Sequence, residues 1–491
     1  MNSYTPYIKD SGFKKVIIFL ALLAFTYALA ELIVKGGILI PFALLALPFM
    51  LTVLYNIFVS PSVGMIVILC IAFLGNAFGR YVDAPWGLSL DVMLLLTLVA
   101  SFFVAKKEDT SKLKNGLVWS MSLWTLFTVF EIFNPEATLF EAWFYAVRSI
   151  SFYLLLLIIL VILIFKRMRD LNVCIYILLI GSAISAIYGM KQLHIGLDSA
   201  EKAWLAAGAA KTHLLFGRLR VFSFYSDAGQ FGAFMAYSAL IAGILALNPE
   251  NLFKRIFYIL IALICLYGMA ISGTRGAMFV LGGGLFYLLL TKKFKVFFLG
   301  MLVAGAVFGV LKYTYIGQGN YQIQRMRSAL DPNDPSFQVR LENQKKLSLY
   351  MSSRPFGGGI GTIGYWGQRF SPGTYLAEMP PDSHFVRIWA ETGIVGLLIH
   401  LLTLVYILAA AFYKIFHLRD PILKQKMMAF YAGAVGIVIA SYGNQVISQM
   451  PSIIFISISF AFMFYSPEWD KEITKEKEAK NNQLKEHHLN L

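Results

Sequence analysis

Apolar runs recur along this chain with short polar breaks between them. They are read at 16–34, 36–58, 61–78, 87–105, 117–133, 149–165, 173–190, 226–247, 253–272, 276–291, 296–312, 388–413, 427–447 and 452–466, fourteen in all. A helix rising about 1.5 Å per residue needs ~20 such residues to cross a ~30 Å hydrocarbon layer. The expected fold is therefore all-α, a polytopic integral membrane helical bundle with about 14 transmembrane helices. The first run contains Ala28-Leu29-Ala30, which mimics a signal-peptidase site. That run continues almost unbroken into the second, so an uncleaved span is expected.

One long polar interval interrupts the pattern, 313–387, read as a periplasmic loop that forms a lid over an active site. Within it, Asp331-Pro332-Asn333-Asp334-Pro335 predicts a turn and then a helix, with Asp334 as N-cap and Pro335 at the first helical position. Arg340, Gln344 and Leu347 would share one face of that helix. The run Gly357-Gly358-Gly359-Ile360-Gly361 permits a tight backbone able to approach a phosphate. A second polar stretch, 191–225, includes Ala200 to Leu215, whose spaced apolar residues predict a helix lying in the headgroup plane. The tail 467–491 mixes both charge signs and reads as solvated. The whole, 1–491, is one integral membrane domain.

Composition agrees, since 491 residues that are 58% hydrophobic and 14% charged exclude an ordinary water-soluble protein. The net charge of +15 would suggest nucleic acid in a soluble chain, but the lysines are scattered over short loops. That is a topology signal, so no nucleic-acid partner is implied. With the N-terminus inside, cytoplasmic segments hold 24 Lys and Arg against 18 outside, and Lys312 to Arg387 contains 9 of those 18. Long translocated loops are exempt from the rule, so both termini are placed in the cytoplasm. The kind of base also differs: 20 Lys and 4 Arg inside, 7 Lys and 11 Arg outside. Arginine offers a planar fork that binds phosphate or carboxylate bidentately and keeps its charge when partly buried. An anion near the outer surface is one reading. The other is that these arginines bind lipid headgroups or pair with acids such as Asp83, Glu136 and Asp382. Cys70, Cys174 and Cys265 lie within apolar runs, without metal spacing or a disulfide framework.

Candidate chemistry clusters at the outer ends of the runs. Arg80 follows the third span, Arg218 and Arg220 precede Ser223-Phe224-Tyr225-Ser226-Asp227, and Arg275 occupies a turn too short to leave the membrane surface. A charge held there is a functional candidate. His384 stands at the start of the next span after the loop, two residues from Asp382, while His194 and His213 read as surface residues.

These pieces resemble an ordered set in the O-antigen ligase/polymerase superfamily. The resemblance rests on Arg220 before a polar helix entry, on Ser272-Gly273-Thr274-Arg275-Gly276, on Arg340 with Arg354-Pro355-Phe356-Gly357-Gly358-Gly359-Ile360-Gly361, and on His384 followed by Glu391-Thr392-Gly393-Ile394-Val395-Gly396. It covers about residues 215–400. It implies a multi-span glycosyltransferase of the bacterial cytoplasmic (inner) membrane. Such enzymes move a glycan from an undecaprenyl-diphosphate carrier to an acceptor on the periplasmic side, with inversion and without a metal or other cofactor. Arg220 and Arg275 would hold the diphosphate and His384 would serve as base. Phe385 stands where the family often has Asn, and Ser223 where it often has Gly.

The chemistry agrees with those roles. Displacing a lipid diphosphate from an anomeric carbon develops negative charge that preorganised arginines stabilise most in the transition state. An imidazole with a pKa near the working pH can take the acceptor's proton. Arg340, Arg218, Arg80, Tyr225 and Asp382 are expected to contact substrate, with Asp382 orienting His384 and Tyr225 or Asp227 holding the acceptor. The expected partners are the lipid-linked donor, a glycan or lipid A-core acceptor, and membrane lipids. A flippase or exporter of lipid-linked glycan is the alternative; few mid-span charges and no internal repeat speak against it. A non-catalytic scaffold would not need the arginine set.

Overall fold

Breaks in the apolar pattern become helix ends where a side chain can cap the exposed amides. A computed structural model of the chain describes residues 39–489, apart from 83–85, 138, 216 and 292, with scattered positions between 16 and 31. Among these residues, eleven helices are long and apolar enough to cross a membrane, and the runs Ala46–Val59 and Arg275–Leu290 are shorter. The chain is a multi-pass, all-α membrane protein. Most of the first predicted span, Ala28-Leu29-Ala30 included, lies outside the described residues, as does Asp83.

Two boundaries moved for identifiable reasons. The span expected at 427–447 is Pro421–Ala440, because Asp420 accepts from Leu423 N at 2.8 Å and starts the helix before its lysines. Lys426, inside it, is satisfied by Asn172 at 2.8 Å. The span expected at 149–165 begins at Phe140, since Arg148 is carried inside the helix on an ion pair with Asp91. The run at 276–291 is broken by a turn between Met278–Leu281 and Gly284–Leu290.

The core is built on Ala228–Leu247, Pro421–Ala440 and the apolar part of Ser452–Leu489, whose side chains are mostly buried. Buried hydroxyls pair there, Ser182 with Ser238 at 2.7 Å and Tyr237 with Ser459 at 2.9 Å. Such pairs substitute for water that a bilayer does not supply. Phe294–Tyr313 stands apart, with no buried residue.

The interfacial segment differs from its expected single helix. It is Ser199–Trp204, a wide turn over Leu205–Ala209 and Ala210–His213, followed by a two-residue hairpin pairing Leu214 with Leu219. Gly208 at φ 127° breaks the helix. In the long loop, Asp334 caps Pro335–Met351 as expected, accepting from Phe337 N at 3.1 Å. Leu347 faces inward and is fully buried. A further helix, Tyr321–Ser328, was not legible in advance.

The glycine-rich run does not form a phosphate cradle. Its amides are already spent: Gly358 N donates to Ala390 O, Gly359 N to Glu391 O (2.9 Å each), and Gly361 N to the Glu391 carboxylate at 3.1 Å. Those carbonyls are free because His384–Phe416 is interrupted at Gly393, whose φ is 66° and ψ −170°. Val395 N returns a bond to Pro355 O at 3.2 Å. A Cβ on Gly393 would lie 1.9 Å from Pro355 O. Gly393→Ala should therefore cost roughly 2–4 kcal/mol, combining left-handed strain with overpacking. Gly373→Ala, at φ 81° in open space, reads the strain alone and should cost about 1 kcal/mol. Thermal unfolding in detergent compares the two; equal shifts would mean that the docked loop contributes nothing.

Candidate active site

The turn between Leu252–Ile271 and Arg275–Leu290 gathers three guanidinium groups. Arg220 donates to Thr274 Oγ1 at 3.0 Å and to Thr212 O at 3.1 Å. Arg325, from Tyr321–Ser328, donates to Gly273 O at 3.3 Å. Arg275 itself meets the Asp334 carboxylate at 2.6 Å and Ser328 Oγ at 3.4 Å. Burial lowers the Arg220 pKa from its ordinary value; Asp227 opposes this, and Arg325 and Arg275 add to it. Arg325 is lowered by burial and then by Arg275. Arginine stays charged under such shifts, so the arrangement is a concentration of positive charge that an anion would relieve.

Asp334 is the carboxylate bonded directly to this group. Burial alone would raise its pKa, but the hydrogen bond and charge of Arg275 hold it below the usual range. Its contribution to loop closure is therefore complete above the ordinary carboxylate range and is lost only as pH falls through that depressed value. Arg275, Asp334, Arg340, Phe279 and Tyr442 line a cavity of about 380 Å³.

His384 opens the His384–Phe416 helix and is 2% exposed. Its amide donates to Ser441 O at 3.0 Å, and Tyr442 and Gly443, next in sequence, wall the Arg275 cavity. The imidazole thus lies behind that wall and does not itself line the cavity. Its Nε2 meets His400 Nε2 at 3.0 Å, and neither ring's Nδ1 has a partner. His400 was not singled out from the sequence because it sits inside an apolar run, 16 residues from its partner. Below the pair, Arg387 binds Glu391 at 3.2 Å and Gln445 at 3.3 Å.

The remaining candidates fall into different surroundings. Asp382 does not orient His384; it faces Arg340 at 3.9 Å, and burial raises its pKa against that arginine's pull. Arg354 pairs with Glu136 at 3.3 Å, so two of the loop arginines find the acids the sequence offered. Tyr225 is 1% exposed between Phe231 and Phe234. Its side chain cannot meet an acceptor there; it offers its carbonyl to Arg80 instead. Arg80 grips the carbonyls of Ser223 and Tyr225 and lies over the Trp204 and Phe222 rings at 4.7 and 4.5 Å. Arg218 lies over the Tyr321 ring at 4.8 Å. Asp227 caps Ala228–Leu247 and accepts from Gln449 at 2.8 Å. His213 is buried rather than a surface residue.

Ser223 occupies a left-handed conformation at φ 49°. Glycine adopts it without strain, whereas a serine has to be held there. The serine is held by Gln192 at its amide (2.8 Å) and by Ser185 O at its hydroxyl (2.6 Å), besides Arg80.

Residues 260–401 match a family model described as O-antigen ligase. The chain is also similar to an O-antigen polymerase from Salmonella muenchen, 26% identical over 205 residues. That alignment covers 40% of this chain and spans about half of the relative's length, 48%. The family-model match contains Arg275, Arg325, Asp334, Arg340, His384 and His400.

Proposed function

We propose that this chain, which resembles the O-antigen ligase/polymerase superfamily in its family-model match and its polymerase relative, transfers a glycan from undecaprenyl diphosphate to an acceptor hydroxyl at the periplasmic face of the inner membrane, with both termini in the cytoplasm. The observation that carries this reading is the meeting of Arg220, Arg275 and Arg325 on one turn with, among the described residues, a single directly bonded carboxylate. A diphosphate supplies the missing negative charge, in hydrogen bonds about twice as strong as neutral ones. In this reading the arginines meet the charge that develops on the leaving group.

In the proposed step the acceptor oxygen bonds to the anomeric carbon as the carbon–oxygen bond to the diphosphate breaks. Attack from the face opposite the leaving group inverts the configuration. The acceptor proton passes to His384. If His384 Nε2–H donates to His400, its Nδ1 keeps a free lone pair; His400 then carries its own proton on Nδ1. For the proton to reach that nitrogen, the wall that Tyr442 and Gly443 form beside the cavity has to open.

Asp334 stands where a phosphate oxygen would. Asp334→Asn keeps the helix cap, since Asn caps as well as Asp, but frees Arg275. Its KM for the lipid-linked donor should fall about three- to tenfold; a raised KM would mean that the ion pair builds the site rather than covers it.

The direct test offers the purified protein an undecaprenyl-diphosphate glycan with three acceptors: more donor, lipid A-core, and a peptide. Transfer to one of them identifies it as polymerase, ligase or protein-glycosylating enzyme. Movement of the lipid across the bilayer with no transfer to any acceptor sinks the proposal in favour of a flippase.

A further inference from the structure

The segment from Arg220 to Asp227 borders a second cavity. Ser226 and Arg80 line it, and Arg80 holds the carbonyls of Ser223 and Tyr225. It encloses about 600 Å³, within the range of small-molecule sites. Its walls are aromatic and cationic. Tyr145 and Trp366 stack at 4.9 Å with 19° between their planes, and Trp86, also in the lining, is stacked on Phe78 at 5.5 Å. Arg148 lies over Tyr145 at 4.8 Å and pairs with Asp91. Arg369 lies 5.9 Å from both Tyr145 and Trp366, and among the described residues it has no carboxylate partner. Arg80 spends its hydrogen bonds on neutral carbonyls. Asp91 answers Arg148, and Glu201 and Asp198 lie close enough to favour the Arg80 charge, which leaves Arg369, among the described residues, as the lining arginine with no acid beside it.

Leu88 is the one aliphatic side chain among the described lining residues, which does not suit an acyl chain. Ring faces suit the flat C–H faces of pyranoses, and guanidinium forks suit their carboxylates. We propose that this cavity is a saccharide subsite for an acidic glycan, a run of pyranose units bearing carboxylates. It names the substrate class of the transfer above and rests on that reading for its place in the reaction. The shared Arg220–Asp227 segment would let one chain of sugars reach from this subsite to the diphosphate.

The test uses the full chain in phosphatidylcholine nanodiscs, titrated with tetragalacturonate and with uncharged cellotetraose, followed by calorimetry and tryptophan fluorescence. Tetragalacturonate should bind saturably and at least tenfold more tightly than cellotetraose. Arg369→Gln and Trp366→Leu should each weaken it tenfold or more with an unchanged thermal transition. Arg275→Ala should bind it as the parent does. No saturable binding, equal affinity for the neutral sugar, or unchanged affinity in both variants overturns the proposal. So does displacement of the sugar by glycerophosphoglycerol at equal concentration, which would assign the cavity to lipid headgroups. If tetragalacturonate fails to bind while Arg275→Ala still abolishes transfer, the subsite falls and the proposed function stands.

Discussion

Arg275→Ala is expected to lower glycan transfer about 10²–10³-fold, the usual loss when one preorganised donor to a developing anion is removed, while the protein reaches the membrane at the parent level. Arg275 sits in a turn between two helices and bonds the loop through Asp334 and Ser328. Its removal empties one side of a cavity and breaks no core contact. Folding should therefore survive where activity does not. Arg275→Lys should recover only a small part of the rate, because an ammonium cannot reproduce the planar fork. In cells the Ala variant should accumulate carrier-linked glycan already facing the periplasm. Parent-level transfer by Arg275→Ala would remove it from the site.

The second large effect is expected at the histidine pair. His384→Ala should lose about 10²–10⁴-fold in transfer, the range for a positioned acid–base group. His400 acts through His384, so its variant should behave differently. His400→Gln still offers an oxygen to His384 Nε2–H but cannot share a proton, and should lose about tenfold. The distinguishing measurement is the pH profile. A base must be neutral to accept a proton, so transfer by the parent should rise with pH as His384 loses its proton. His400→Gln should displace that limb, whereas a merely structural loss would lower the rate at every pH alike. If His384→Gln keeps both rate and profile, the imidazole is a buried structural group, as its 2% exposure also permits.

Much of the bundle was legible because apolar length is a strong signal. Pro61–Phe78, Trp86–Val104, Ala228–Leu247 and Leu252–Ile271 stand within two residues of their expected bounds. Charge was the weaker guide: the expected runs start just after Arg148 and Lys426, yet each is carried within a helix by a partner distant in sequence. The same limit governs the site. Arg220 and Arg275 could be picked out because helix mouths are visible in the sequence, but the pairing of Arg275 with Asp334 depends on how the loop folds back. His400 and Trp366 carry no local signature at all. Their roles arise from contacts made across the fold, and Asp382 was assigned to the nearer histidine when it faces Arg340.

The interruption of His384–Phe416 at Gly393 also bears on modularity. Residues 357–361 complete the backbone bonding of that span, so the loop cannot be exchanged as a cassette cut at the membrane surface. A chimera taking only 313–383 from a relative would leave Ala390 and Glu391 facing foreign geometry. A graft extended to residue 396 would carry both halves of the joint, and is the shortest one that should insert and fold.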